Sequence, residues 1–155
     1  MIERIFRCYP WGIADSQIIN SPVQWVADHI REYVESNGAV GHIWRGVPTL
    51  LLTTKGRKSR LLRRSALIYG RDGADYVIVA SKGGHPTHPL WYTNLEAERS
   101  VTIQVGGNIF SATATTYEDG EHRDKVWRSM VEIWPGYAEY QAKTSRRIPL
   151  VRLSQ

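Results

Sequence analysis

Six short apolar segments, each bounded by glycine, proline or polar turn residues, recur through the last two-thirds of the chain. They cover residues 48–54, 63–69, 76–80, 101–105, 109–117 and 148–153. Arg71-Asp72-Gly73 and Gly106-Gly107-Asn108 are tight enough to be read as hairpin turns. Hairpins imply a mainly antiparallel sheet. Many short strands with few helices predict a small barrel rather than a doubly wound sheet, within an α+β class.

Helical patterns fill the gaps. Ser21-Pro22 reads as cap and first helical residue, with Gln24 completing a capping box. Val23, Val26, Ala27, Ile30 and Val34 then follow helical spacing, and Asn37-Gly38 stops the run. Residues 89–98 predict a short helix. Glu118-Asp119 is read as the cap of another through Ile133, with a further turn or two over 135–143. The 155 residues fit one domain, here 21–155, preceded by an arm over 1–20. The arm carries Tyr9-Pro10-Trp11-Gly12 and is read as a lid, a dimer contact or a membrane-facing segment. It is too polar to span a membrane, so membrane contact would be peripheral. One cysteine, Cys8, forms no internal disulfide and suits a reducing cytoplasm. Neither that lone cysteine nor the five histidines have metal-ligand spacing, so no metal is expected. His85 and His88 are read as loop residues beside a glycine pair, and His29, His42 and His122 as surface positions.

The net charge of +5 and pI near 9.5 ask for an anionic partner. The charge is focused. Lys55, Arg57, Lys58, Arg60, Arg63 and Arg64 lie within ten residues that hold no acid, with Gly56 and Ser59 among them. Glycine permits close approach of a ligand. Backbone N–H groups of such a turn form an anion-binding concavity, and the cations supply charge-assisted bonds. A solvated hairpin tip that blunts a sheet edge fits the composition as well. Nucleic acid is not expected: the charge sits on one turn and no reader motif accompanies it.

Two further features narrow the choice. Ser81-Lys82-Gly83-Gly84 ends an apolar strand abruptly and offers polar contacts beside flexible backbone; it is neither a P-loop nor a dinucleotide fingerprint. Trp91, Tyr92, Trp134, Tyr137 and Tyr140 form two aromatic groups, the last three at three-residue steps. Core packing explains such a stripe. A groove for a flat ring explains it too, and Pro135-Gly136 places the second group near a surface.

In this order the features resemble the deazaflavin-dependent nitroreductase family of actinobacteria. The matching pieces are Thr53-Thr54-Lys55-Gly56-Arg57-Lys58-Ser59, residues 63–69, Ala80-Ser81-Lys82-Gly83-Gly84, Pro89-Leu90-Trp91-Tyr92-Thr93-Asn94-Leu95, Trp134-Pro135-Gly136-Tyr137-Ala138-Glu139-Tyr140 and Ile148-Pro149. Together they span roughly residues 45–153. The resemblance implies a split β-barrel of the FMN-binding type with flanking helices, holding coenzyme F420, an 8-hydroxy-5-deazaflavin. Carried over by position, Arg57, Lys58 and Arg63 would meet the phosphate and oligoglutamate tail. Ser81 and Lys82, with Trp91 and Asn94, would lie along the ring or its linker, and Lys55, Ser59, Ser65, Ala80 and Gly83 would also bind the cofactor. Ile68, Trp134, Tyr137 and Tyr140 would wall the substrate side, with Tyr137 as proton donor and Ser81 as a second catalytic group. Arg60 stands where the family usually has glycine, and Ser65-Ala66 where Asn-Pro is common. Ile68 and Trp134 replace frequent tyrosines. Those last two changes argue against bulky bicyclic nitro drugs and for activated alkenes, quinones or unsaturated lactones.

The chemistry so implied is hydride delivery from reduced F420 to a small organic acceptor. The cofactor carries the hydride, and the protein supplies binding and orientation. FMN is the second cofactor to weigh, since the architecture is shared with FMN oxidases; a polyanionic tail accounts better for so dense a basic turn. A non-catalytic F420 carrier is the other reading. A monomer or homodimer serves either.

Overall fold

A computed structural model describes residues 9, 12, 14 and 17–155. Tyr9 and the segment from 17 belong to the arm; Cys8 and the other arm positions lie outside the described residues. Six strands form the barrel: β2 (Val47–Lys55), β3 (Leu62–Asp72), β4 (Asp75–Val79), β7 (Leu150–Ser154), β6 (Asn108–Thr116) and β5 (Ser100–Val105), in that spatial order. Pairing of β2 with β5 closes the ring, and every strand pair is antiparallel. An extra two-residue strand, β1 (Ile43–Trp44), pairs onto the start of β2. The architecture is the split β-barrel anticipated from the sequence, with β1 the one strand not foreseen.

β2 explains its own unbroken apolar run. Residues 49–54 are all buried because both faces of the strand are covered. Leu50 and Leu52 point into the barrel with Ile78, Val101, Ile103, Val151 and Leu153. Leu51 points outward under α1 (Gln24–Glu35), beside Ile30 and Tyr33. On β4 the alternation is clean: Ile78 faces the barrel, while Val77 and Val79 face α3 (Glu121–Ile133) and α4 (Gly136–Ala142). The short helix α2 (Leu90–Ala97) contributes Trp91, Tyr92 and Leu95 to the barrel core. Each fully buried large side chain contributes about 1.5–3 kcal/mol.

Three local readings need correction. α1 starts at Gln24, with Val23 at the cap position and no side-chain cap. Ser21 Oγ accepts from Val23 N–H (3.2 Å), so it closes a tight turn instead of capping the helix. Gln24 Nε2 donates forward to Asp28 (2.9 Å) and completes no capping box. Glu118-Asp119 does not cap α3 either; Gly120 occupies that position. The closing strand begins at Leu150, two residues later than Ile148. The foreseen stop of α1 holds: Asn37 and Gly38 both adopt positive φ.

To the apolar contacts of α1 with the barrel, the Tyr33 hydroxyl adds hydrogen bonds. Tyr33 is fully buried; its OH donates to the Thr49 carbonyl (2.9 Å) and accepts from Gly106 N–H (2.8 Å). Burial pushes its pKa up to about 12, so it stays a phenol at any physiological pH. Tyr33→Phe leaves the Gly106 N–H without its acceptor. The expected cost is about 1–3 kcal/mol, read as a lower urea midpoint at unchanged m value.

Candidate active site

The cavity lies on the outer wall of the barrel, over the middle of β3. It measures about 340 Å3, within the range of small-ligand sites. Its floor is Ala66, Leu67 and Ile68 of β3. One stretch of wall is α1 and β1, through Trp25, His29 and Trp44; it continues into Trp134, Tyr137 and Tyr140. The rim is Ser81, Lys82 and Gly83, and Pro89 and Trp91 stand at the start of α2. Eight of the residues expected from the sequence therefore meet around one space: Ile68, Ser81, Lys82, Gly83, Trp91, Trp134, Tyr137 and Tyr140.

The rim has unusual backbone. A single 3-10 turn over Lys82–Gly84 follows β4, and its three residues all have positive φ (45°, 62° and 84°). A Cβ at Gly83 would meet nothing within 4 Å, so backbone is laid bare toward open space there. Gly84 is different: a Cβ would stand 2.6 Å from the Tyr140 carbonyl oxygen. The turn and α4 thus touch backbone to backbone.

The basic turn does not line the cavity. It is connected to it through α2. Arg57 Nη1 donates to Thr93 Oγ1 (3.0 Å) and Asn94 Oδ1 (3.4 Å), and Arg57 N–H donates to Asn94 Oδ1 (3.2 Å). Asn94 is buried and follows Trp91 by one helical step, so the turn and the cavity share one face of α2. Gly56 sits close under the turn: a Cβ there would lie 2.5 Å from Ser59 Oγ, which would have to rotate away, and 3.2 Å from the Leu61 carbonyl oxygen. Arg60 has φ 62°, so this residue, standing where the related family usually has glycine, takes the left-handed backbone that glycine adopts most easily. Arg57, Lys58, Ser59, Arg60 and Arg63 are exposed and Lys55 half-buried. Among the described residues no carboxylate forms an ion pair with these cations. Arg64 differs: it is buried, with its guanidinium 5.6 Å from the Tyr9 ring centroid. Ser65 pairs with Leu52 across β3–β2, and Ala80 is buried behind the rim; neither lines the cavity.

Sequence reasoning missed several wall residues. Trp25 stacks on Trp44 (6.0 Å, 17°), and Trp44 meets Trp134 (5.6 Å), giving a row of three indoles from α1, β1 and the α3–α4 junction. His29, expected at the surface, is half-buried in the wall, and its Nε2–H donates to the Gly41 carbonyl (2.9 Å). His42, also expected at the surface, is half-buried and hydrogen-bonds Tyr69 OH (2.9 Å). His29 is turned inward because its helix face lies over the sheet, and His42 because it lies in the turn that leads into β1; a single histidine in the sequence signals neither. Tyr137 is only 5% exposed, flanked by Trp127 and Tyr140, and burial raises its pKa well above that of a free tyrosine.

Comparison with known proteins now decides the family. The model of the F420H(2)-dependent quinone reductases matches residues 25–155. The chain belongs to that family. The match takes in α1 and its Trp25, which lie ahead of the stretch that carried the resemblance. An F420H(2)-dependent quinone reductase of Mycobacterium tuberculosis is 42% identical over 137 residues, 86% of this chain and 91% of its own length. A solved F420-H2 dependent reductase is 42% identical, with a TM-score of 0.64 over 73% of this chain and 98% of that one. Another solved structure, described as a domain-swapped dimer, is 38% identical, with a TM-score of 0.66 over 86% of this chain and all of that one. The enzyme is an F420-dependent oxidoreductase. The family is described by quinone reduction and not by the nitroreduction named in the resemblance. Among the described residues no helix is long and apolar enough to cross a membrane.

The residues present fit this cofactor. A flat ring suits a cavity floored by a strand, with bare backbone at Gly83 and Trp91 at one end. Cations without carboxylate partners among the described residues, joined to the cavity through one face of α2, suit a phosphate and a chain of carboxylates.

Proposed function

We propose that the enzyme holds the deazaflavin ring between Ser81–Gly83 and β3, with the anionic tail running along α2 to Arg57, Lys58 and Arg63. A planar quinone then stacks against the Trp134–Tyr137–Tyr140 wall. The observation that carries this reading is the join itself: Arg57 bonds Asn94, and Asn94 shares a helix face with the cavity residue Trp91. When bound, reduced F420 supplies the hydride. The chain's own residues do the rest. Apolar walls exclude water. Ser81 Oγ and the Tyr137 hydroxyl offer hydrogen bonds where negative charge collects on the acceptor oxygen. Tyr137 keeps its proton through neutral pH because burial disfavours the phenolate, so it serves as donor and not as base. Activated alkenes, unsaturated lactones and small nitro compounds develop similar anions and belong to the same acceptor class. We take the assembly to be a homodimer, as in the domain-swapped relative, or a monomer, with any membrane contact peripheral and the setting cytoplasmic.

The test is oxidation of F420H2 by a soluble naphthoquinone. Acceptor-dependent turnover is expected. Tyr137→Phe should lower kcat about hundredfold to thousandfold, the scale of one lost transition-state donor, while the Kd for F420 stays within about threefold. Tight F420 binding with no turnover across quinones, enones and nitro compounds would replace this reading with that of a cofactor carrier.

A further inference from the structure

The segment between α4 and β7 carries one side chain that reaches into the rim from behind. Arg146 Nε donates to the His85 carbonyl (2.7 Å), Nη1 to the Ala80 carbonyl (3.1 Å) and to His88 Nδ1 (3.1 Å), and Nη2 to the Ser81 carbonyl (2.6 Å). These acceptors flank the Lys82–Gly84 turn on both sides. The turn's own bonds are few: Gly84 N–H to the Ser81 carbonyl (2.9 Å) and His85 N–H to the Lys82 carbonyl (3.1 Å). Arg146 has no carboxylate partner among the described ion pairs, so its charge is met by the three carbonyl dipoles and the His88 ring nitrogen. It is itself held from α4. Gln141 Nε2 donates to the Arg146 carbonyl (2.8 Å), and Gln141 Oε1 accepts from Ile148 N–H (3.0 Å). Tyr137 and Tyr140 sit on that same helix.

We infer that Arg146 is a positioning residue that fixes the Ser81–Gly83 rim against the α4 wall and so sets the width of the ring site. It does not line the cavity. Its action is through the carbonyls it clamps. A planar fork with five donors can span acceptors on both sides of the turn. The single ammonium of lysine cannot, so Arg146→Lys keeps the charge and loses the span. This inference rests on the proposed placement of the deazaflavin ring at the rim.

The experiment compares wild type, Arg146→Lys and Arg147→Lys. Arg147 is the control: it pairs with Asp119 and Asp124 at the surface, away from the rim. Two readouts are taken, amide hydrogen exchange over residues 81–88 without cofactor, and the Kd and KM for F420 with kcat alongside. In Arg146→Lys, exchange over 81–88 should quicken at least about tenfold, and Kd and KM should rise about tenfold. kcat should stay within about threefold and the melting temperature should change little. Arg147→Lys should match wild type in all of these. Wild-type exchange over 81–88 in Arg146→Lys overturns the clamp. Quickened exchange with unchanged Kd and KM overturns its link to the cofactor. If wild type fails to bind F420, the proposed ring placement falls while the exchange data still judge the clamp.

Discussion

Replacing Arg57 and Lys58 together with alanine should raise the Kd for F420 about thirtyfold to a hundredfold. Both side chains are exposed, so each charge-assisted bond is taken at the low end, about 1–1.5 kcal/mol, and the pair at about 2–3 kcal/mol. Truncation also removes the Arg57 guanidinium contacts to Thr93 and Asn94, while the backbone N–H bond to Asn94 survives. The barrel should therefore hold its melting temperature. Wild-type affinity should fall with added salt, and the double variant should lose much of that dependence, because exposed charge pairs are screened. A fluorescence titration at two ionic strengths reads both effects. Equal affinity of the variant and wild type at low salt would remove the tail from this turn.

Gly84→Ala is expected to be the most damaging single methyl in the site. The residue has φ 84°, where an L side chain costs about 1–2 kcal/mol. The new Cβ would also press on Tyr140 backbone at 2.6 Å and 3.0 Å, an overpacking of about 1–3 kcal/mol. The sum, about 2–5 kcal/mol, corresponds to a melting temperature lower by roughly 5–15 °C for a chain of this size. Backbone cannot swing aside as a side-chain tip does, so α4 must shift and carry Tyr137 and Tyr140 with it. kcat/KM for the quinone should fall further than the loss of folded protein explains. Gly83→Ala is the contrast: φ is also positive, but the methyl meets open space. It should show the strain cost without displacement of the wall, and any further loss of F420 binding in it would reflect the ring resting on that backbone.

The strands were legible because each carries a local signature: alternation or an apolar run closed by glycine turns. Even β2, which breaks alternation, reads correctly since a strand covered on both faces is apolar throughout. β1 was not legible, because two residues cannot display a period. The start of α1 misled because Ser21 had a nearer N–H to accept from than a helix cap would offer. In the site, what was legible came as compact motifs, Lys55–Ser59, Ser81–Gly84 and Trp134–Tyr140. What was missed comes from contacts between distant segments. Trp25, His29 and Trp44 become wall residues only once α1 lies over β3. Arg146 reaches acceptors 58 to 66 residues away, and nothing in Thr144-Ser145-Arg146-Arg147 hints at them. Arg60 shows the reverse: a departure from the expected glycine leaves the turn's left-handed backbone in place.

The division of the site into a ring cavity and a tail-binding turn is tested most directly by a double-mutant cycle in binding. F420 and a deazaflavin lacking phosphate and oligoglutamate are each titrated against wild type and the Arg57→Ala, Lys58→Ala variant. Wild type should bind intact F420 at least about thirtyfold to a hundredfold more tightly than the trimmed ring, and the variant should keep only the small part of that preference that Arg63 supplies. Wild type that holds both ligands equally well, or a variant that keeps the full preference for the tail, would contradict it.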